Sequence, residues 1–109
     1  MARSGDAMES INAIAKVRFN SAKPQIVGLY KGEGFVTELL CMEPGQATDG
    51  PAGERTYYVI TGTATLSQGD STVTVAAGHV ASAPAGQEGH RLTNSSQQRL
   101  VCLVTRRPS

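Results

Sequence analysis

The sequence predicts an all-β protein folded as a single-domain sandwich or barrel, and three observations carry that expectation. Short runs of β-favouring residues recur at regular spacing, glycine- or proline-containing turns separate them, and no stretch repeats its apolar residues with the period of a long helix. At 109 residues the chain has the size of one compact domain, large enough to bury a core without staples and too short to hold two. No repeat with a period of about 20 to 50 residues is visible.

In chain order, residues 1–10 are small, polar or charged and are expected to form a disordered arm. Residues 11–34 are expected to supply N-terminal strands. Ile11, Ala13, Ile14, Ala15 and Val17 fit a short helix or an edge strand equally; Pro24 then opens an extended segment from Gln25 to Tyr30, and Lys31-Gly32-Glu33-Gly34 turns it into a hairpin. The second arm of that hairpin, Phe35 to Met42, starts the barrel assigned to residues 35–106. Its alternation is read with Glu38 outward and with Phe35, Thr37, Leu39 and Cys41 on the inner face. From Gln46 to Glu54 no hydrophobe exceeds alanine, so this stretch reads as a loop. Strands follow at Arg55 to Thr61, Ala64 to Gln68, Ser71 to Val75, His79 to Ala83, His90 to Asn94 and Leu100 to Thr105, with Arg106 to Ser109 as a solvated tail.

Composition removes several function classes. The net charge is +1 and the basic residues are scattered, so no positive stripe exists for a phosphate backbone, and five aromatics make no stacking platform. No apolar run reaches the length of a membrane span and the N-terminus lacks the apolar segment of a signal peptide, so a cytoplasmic protein without membrane or nucleic-acid partners is expected. Cys41 and Cys102 lie in apolar runs and read as two reduced core thiols, with a disulfide open only if their strands are neighbours. No GxSxG, Walker-type or GxGxxG sequence occurs.

Two stretches carry a resemblance. Gly78, five residues, Pro84-Ala85-Gly86, three residues, His90, three residues and Asn94 follow in one; in the other, Gly45 and Gly62 bracket a segment ending Tyr57-Tyr58-Val59-Ile60-Thr61-Gly62. Their order resembles the cupin family in its small, RmlC-like form, whose first motif is G, five residues, HxH, three or four residues, E, six residues, G. Its second is G, five residues, PxG, two residues, H, three residues, N. The resemblance runs from about Phe35 to Thr105 and implies a jelly-roll barrel, together with a homodimer that exchanges N-terminal strands through the Ile11 to Tyr30 segment.

In metal-binding cupins two histidines and a glutamate of the first motif meet one histidine of the second on a divalent transition metal. Here the count back from Gly62 puts Arg55 at the glutamate position, and three intervening residues put Asp49 and Pro51 at the HxH positions. His90 matches the remaining ligand, while His79 reads as an exposed strand start. No bound metal is favoured; if one is present, His90 with Glu54 and Asp49 is the set that could hold it. Only one of Glu54 and Arg55 can point inward, and the count selects Arg55, alongside Tyr57 and Val59.

The expected function is therefore the binding of a small polar or anionic organic ligand by Arg55, Tyr57 and His90, without the full metal set. The alternative is a divergent metal-dependent dioxygenase, isomerase or decarboxylase. A plainer reading also stands: Arg55 pairs with Glu54 or Glu88 at the surface, His90 bonds a backbone carbonyl, and side chains fill the barrel.

Overall fold

The computed structural model describes residues 8–50, 53–85 and 89–108. Among them are nine strands: β1 (Gln25–Lys31), β2 (Val36–Met42), β3 (Ala47–Gly50), β4 (Arg55–Thr61), β5 (Thr63–Gln68), β6 (Ser71–Ala76), β7 (Val80–Ala83), β8 (His90–Asn94) and β9 (Leu100–Arg106). They form a five-stranded sheet in the order β1-β2-β9-β4-β7 and a four-stranded sheet in the order β3-β8-β5-β6, with every pairing antiparallel. The chain crosses from one sheet to the other between β4 and β5 over Gly62 alone. That residue has φ +88° and no room for a side chain, since a Cβ would lie 2.7 Å from the Arg99 carbonyl oxygen.

The two inner faces meet in an apolar core of Leu40, Met42, Tyr57, Val59, Leu100, Cys102 and Val104 against Ala64, Leu66, Val75 and Leu92. The five-stranded sheet is apolar on its other face as well. There Leu39, Cys41 and Val101 pack with Val27, Leu29, Ile60 and Leu103 under a cover of Ala13, Val17 and Phe19. The cover is pinned at its end: the Arg99 guanidinium sits 4.6 Å from the Phe19 ring centroid while pairing with Glu43, and the Gln46 side chain donates to the Asn20 carbonyl at 2.8 Å. The ambiguous Ile11 to Phe19 stretch thus contains a single 3-10 turn, Ile14–Lys16, with no buried residue of its own.

Three expectations need correction. Glu38 does not face outward: the inward set of β2 is Val36, Glu38, Leu40 and Met42, while Leu39 and Cys41 lie on the opposite face. With apolar residues on both sides of the strand, alternation separates two sets without saying which is inside, and a shift of one residue exchanges them. The segment from Gln46 to Glu54 is not all loop, because Ala47–Gly50 pairs with β8; the β8 ladder, rather than β propensity, makes this strand. Arg106 belongs to β9 and not to a solvated tail, being held by Glu38. The expected arm falls partly outside the described residues, which begin at Met8.

Cys41 and Cys102 do lie on neighbouring strands, where Leu40 pairs with Cys102 and Cys41 with Val101. Their side chains nevertheless point to opposite faces of the sheet, so a bridge between them is geometrically closed. Burial pushes the Cys102 thiol up to about 12 and raises Cys41 as well, which makes both poor nucleophiles. No helix among the described residues is long and apolar enough to cross a membrane.

Asn94, fully buried at the end of β8, ties the two sheets at one end of the barrel. Its amide donates to the Met42 carbonyl at 3.1 Å and the Gln98 carbonyl at 2.8 Å, and its side-chain oxygen accepts from the Ser96 backbone N–H and hydroxyl. Its backbone N–H and carbonyl bond the turn before β3, through Gln46 and Gly45. Every polar atom of this buried amide is matched, the condition under which a polar group in a core stabilises rather than costs. Replacing Asn94 with alanine strands those partners and is expected to cost about 2–4 kcal/mol. In thermal unfolding this corresponds to a fall in Tm of roughly 10 °C or more; an unchanged Tm would contradict the role assigned to the residue.

Candidate functional site

The open end of the barrel is built from five strands around a cavity of about 210 Å³. β4 supplies Arg55 and Tyr57, β2 supplies Glu38 and Leu40, β9 supplies Val104 and Arg106, β3 supplies Thr48 and Gly50 with Asp49 at the border, and β1 supplies Ile26. β8 contributes His90, which is buried behind this wall at 4% exposure. The Tyr57 hydroxyl and His90 Nε2 are 2.6 Å apart, with the rings edge to face at a centroid distance of 5.6 Å. Gly50 pairs with His90 in the β3/β8 register, and any Cβ on Gly50 would overlap the imidazole. The ring takes the room that a side chain at position 50 would fill.

Burial sets the protonation of the pair. It lowers the His90 pKa below its ordinary 6.5, with the Arg55 charge adding to the effect, so the imidazole is neutral at pH 7. Burial also raises Tyr57, against a smaller opposing pull from Arg55, so the phenol keeps its proton. Either the phenol donates to Nε2 or Nε2–H donates to the phenolic oxygen. In both tautomers Nδ1 of His90 is buried with no partner among the described residues.

Arg55 lies directly opposite Arg106 across β4 and β9. The like charges are managed unequally. Arg106 makes a two-pronged pair with Glu38, Nε to Oε1 at 3.0 Å and Nη2 to Oε2 at 2.9 Å, the side chains being only 22% and 16% exposed. Arg55 has no ion pair among the described residues, and its Nε is buried without a hydrogen-bond acceptor. Glu38 and Arg106 also line a larger open cavity of about 450 Å³ beside Tyr30, Lys31 and Pro108, but no buried unpartnered polar atom belongs to its walls.

Arg55, Tyr57 and His90 are therefore brought together, and it is Arg55 rather than Glu54 that turns inward. Glu54 is exposed and lies 3.9 Å from Arg107, while Asp49 is exposed and pairs with Arg91 at 2.7 Å. The two carboxylates that could have joined His90 around a metal are thus engaged elsewhere. The inward residues of β3 are Thr48 and Gly50, which correspond to the HxH positions at the longer, four-residue spacing; Asp49 is displaced from them, and Pro51 lies outside the described residues. A hydroxyl, a glycine and a guanidinium stand where two imidazoles and a carboxylate would be needed. No group of three His, Cys, Asp or Glu side chains suited to a metal occurs among the described residues. This donor set does not fit a divalent transition metal, and the Arg55 charge would oppose one.

The geometry does not favour the plainer alternative at Arg55 and His90. Arg55 does not pair with Glu54; Glu88 lies outside the described residues; and His90 bonds Tyr57, with no backbone carbonyl partner among the described residues. Sequence reasoning does not reach Glu38, Thr48, Gly50 and Arg106 as site residues. The signal for Arg106 is its parity with Leu100, Cys102 and Val104, and that for Glu38 its parity with Leu40 and Met42.

This barrel, with its glycine corners and with His90 and Asn94 on one strand, belongs to the cupin family, whose cupin domain model matches residues 38–106. No functionally curated protein matches the chain. Among solved structures it is similar to a protein of Thermus thermophilus, at 27% identity and a TM-score of 0.83 over 93% of this chain and 98% of that one. It is also similar to an uncharacterized conserved protein with a double-stranded β-helix domain from Klebsiella pneumoniae, at 24% identity and a TM-score of 0.80 over 94% of this chain and 91% of that one. An RmlC-like cupin protein from Desulfovibrio desulfuricans follows at 21% identity and a TM-score of 0.70, over 90% and 96%. The last two likenesses show the fold alone.

Because the folded state holds His90 neutral, the unfolded chain binds a proton at this residue that the folded chain refuses. Below a pH of about 6.5 that difference favours unfolding, so stability falls as pH drops from 6.5 towards the depressed folded value. Denaturant unfolding at successive pH values should show this slope in the native protein and a weaker one in His90→Gln. An NMR titration of the His90 ring in Arg55→Gln should give a pKa moved up towards 6.5, and no movement would mean that the guanidinium does not act on the ring.

Proposed function

We propose that this cupin binds a small polar or anionic organic ligand at the mouth of its barrel, with Arg55, Tyr57 and His90 as recognition groups and without a tightly held metal. The observation that carries the reading is the Arg55 guanidinium, turned into the cavity with no counter-charge among the described residues and with its Nε buried and unpartnered. A guanidinium N–H buried without an acceptor is costly, and a carboxylate or similar anion relieves it with charge-assisted hydrogen bonds. The cavity of about 210 Å³ beside Arg55 favours a binding role over a barrel packed solid for structural purposes. Elemental analysis of untagged protein is expected to find transition metal far below one equivalent; stoichiometric metal, lost in His90→Ala, would overturn the metal-free reading.

We also propose that the protein is a homodimer of the cytoplasm. The support lies on the β1 side: β1 is a seven-residue edge strand, and Ile11 and Ile14 in the N-terminal segment are exposed. Two buried thiols that face opposite sides of a sheet suit a reducing compartment. Multi-angle light scattering at micromolar concentration should return twice the chain mass, and a stable monomer would refute the dimer.

A further inference from the structure

We infer that the ligand of this mouth is a monocarboxylate with a compact apolar body, and that Glu38 sets the single-charge preference by occupying Arg106. The inference rests on reading the mouth as an anion site and asks which anions it takes.

Charge counting on named side chains decides the first part. The cavity walls carry two guanidinium groups, Arg55 and Arg106, which face each other across the β4/β9 register. Glu38 grips Arg106 with both carboxylate oxygens, and Asp49, which also borders the cavity, is matched by its 2.7 Å pair with Arg91. Among the described residues one positive charge is left over, on Arg55. A singly charged carboxylate matches that surplus and the planar fork of the guanidinium. A dicarboxylate or phosphate would bring a second negative charge against the Glu38 carboxylate or an apolar wall, where it finds no partner.

The remaining lining decides the second part. Beyond Arg55 the cavity is bounded by Leu40, Val104 and Ile26, with the Thr48 side chain beside them. In the strand register Arg55 and Arg106 form one row and Leu40 and Ile26 another, with Glu38, Val104 and Tyr57 between them, so a cationic row and an apolar row are both within reach of a small amphipathic acid. The volume of about 210 Å³ corresponds to roughly seven water molecules at ~30 Å³ each, below the usual range for drug-sized ligands. A body of fewer than about ten non-hydrogen atoms fits that space.

The test is an amide NMR titration of the full chain with hexanoate, adipate, inorganic phosphate and hexanamide, which separates one charge, two charges, a different anion and no charge at matched chain length. Hexanoate is expected to shift the amides of Gly50, Arg55 and Tyr57 and to bind at least about tenfold more tightly than the other three, with Arg55→Gln losing about tenfold or more. Glu38→Gln, which releases Arg106, is expected to narrow or reverse the gap between hexanoate and adipate; amide dispersion shows whether that variant folds. If it does not, Arg106→Gln serves instead, since it leaves Glu38 free to neutralise Arg55 and should abolish hexanoate binding. Adipate or phosphate binding as tightly as hexanoate, in an Arg55-dependent way, would overturn the single-charge inference while leaving the anion site standing. A ratio unmoved by Glu38→Gln would remove Glu38 from the account. Hexanamide matching hexanoate, or no probe shifting these amides, would overturn the anion reading together with the inference.

Discussion

The hydrogen bond between Tyr57 and His90 is the contact on which the site depends. It joins β4 of the five-stranded sheet to β8 of the four-stranded sheet through the barrel interior, and it does so with side chains that are almost fully buried. A phenol and an imidazole each carry a polar atom that would be expensive to bury alone; 2.6 Å apart they offset that cost for each other. Asn94 performs a comparable service at the other end of the same strand, with every atom matched. Between these two polar clasps lies aliphatic packing, so β8 is held at both ends.

What surrounds the Tyr57 and His90 pair is arranged around charge. Arg55 and Arg106 would repel across adjacent strands, and Glu38 resolves half of that repulsion by pairing with one of them. The imbalance is local, since the chain as a whole carries a net charge of only +1. The cavity thus owes its character to the Glu38 carboxylate, which matches Arg106, and to two carboxylates that leave Arg55 alone, Asp49 pairing with Arg91 and Glu54 lying near Arg107. The same fold with those orientations reversed would present a negative mouth.

Much of this is legible in the sequence, and the exceptions share a cause. β4 and β8 can be read to their end residues because glycines or polar turns bracket clean alternations, and the count from Gly62 turns Arg55 inward correctly. Apolar cover on both faces of the five-stranded sheet inverts the reading of β2, and with it Glu38. β3 escapes detection because Thr48 and Asp49 together have no strong strand preference and gain their conformation from β8. Arg106 reads as tail because its basic neighbour Arg107 and Pro108 look like solvent-facing residues, whereas parity with Val104 carries it inside. Periodicity locates strands well, but which face is interior depends on long-range partners that a local pattern does not contain.

Gly50 has an implication that extends past the geometry of the ring beside it. The imidazole of His90 occupies volume that belongs by position to residue 50, so the two sites share one allotment of space. Substitution at one is therefore felt at the other: a side chain can stand at position 50 only if the His90 ring moves aside, and with that movement its bond to Tyr57 is given up. A step towards two histidines on β3 therefore asks His90 to leave its present place, so a change at position 50 reaches the Tyr57 pair as well as the cavity.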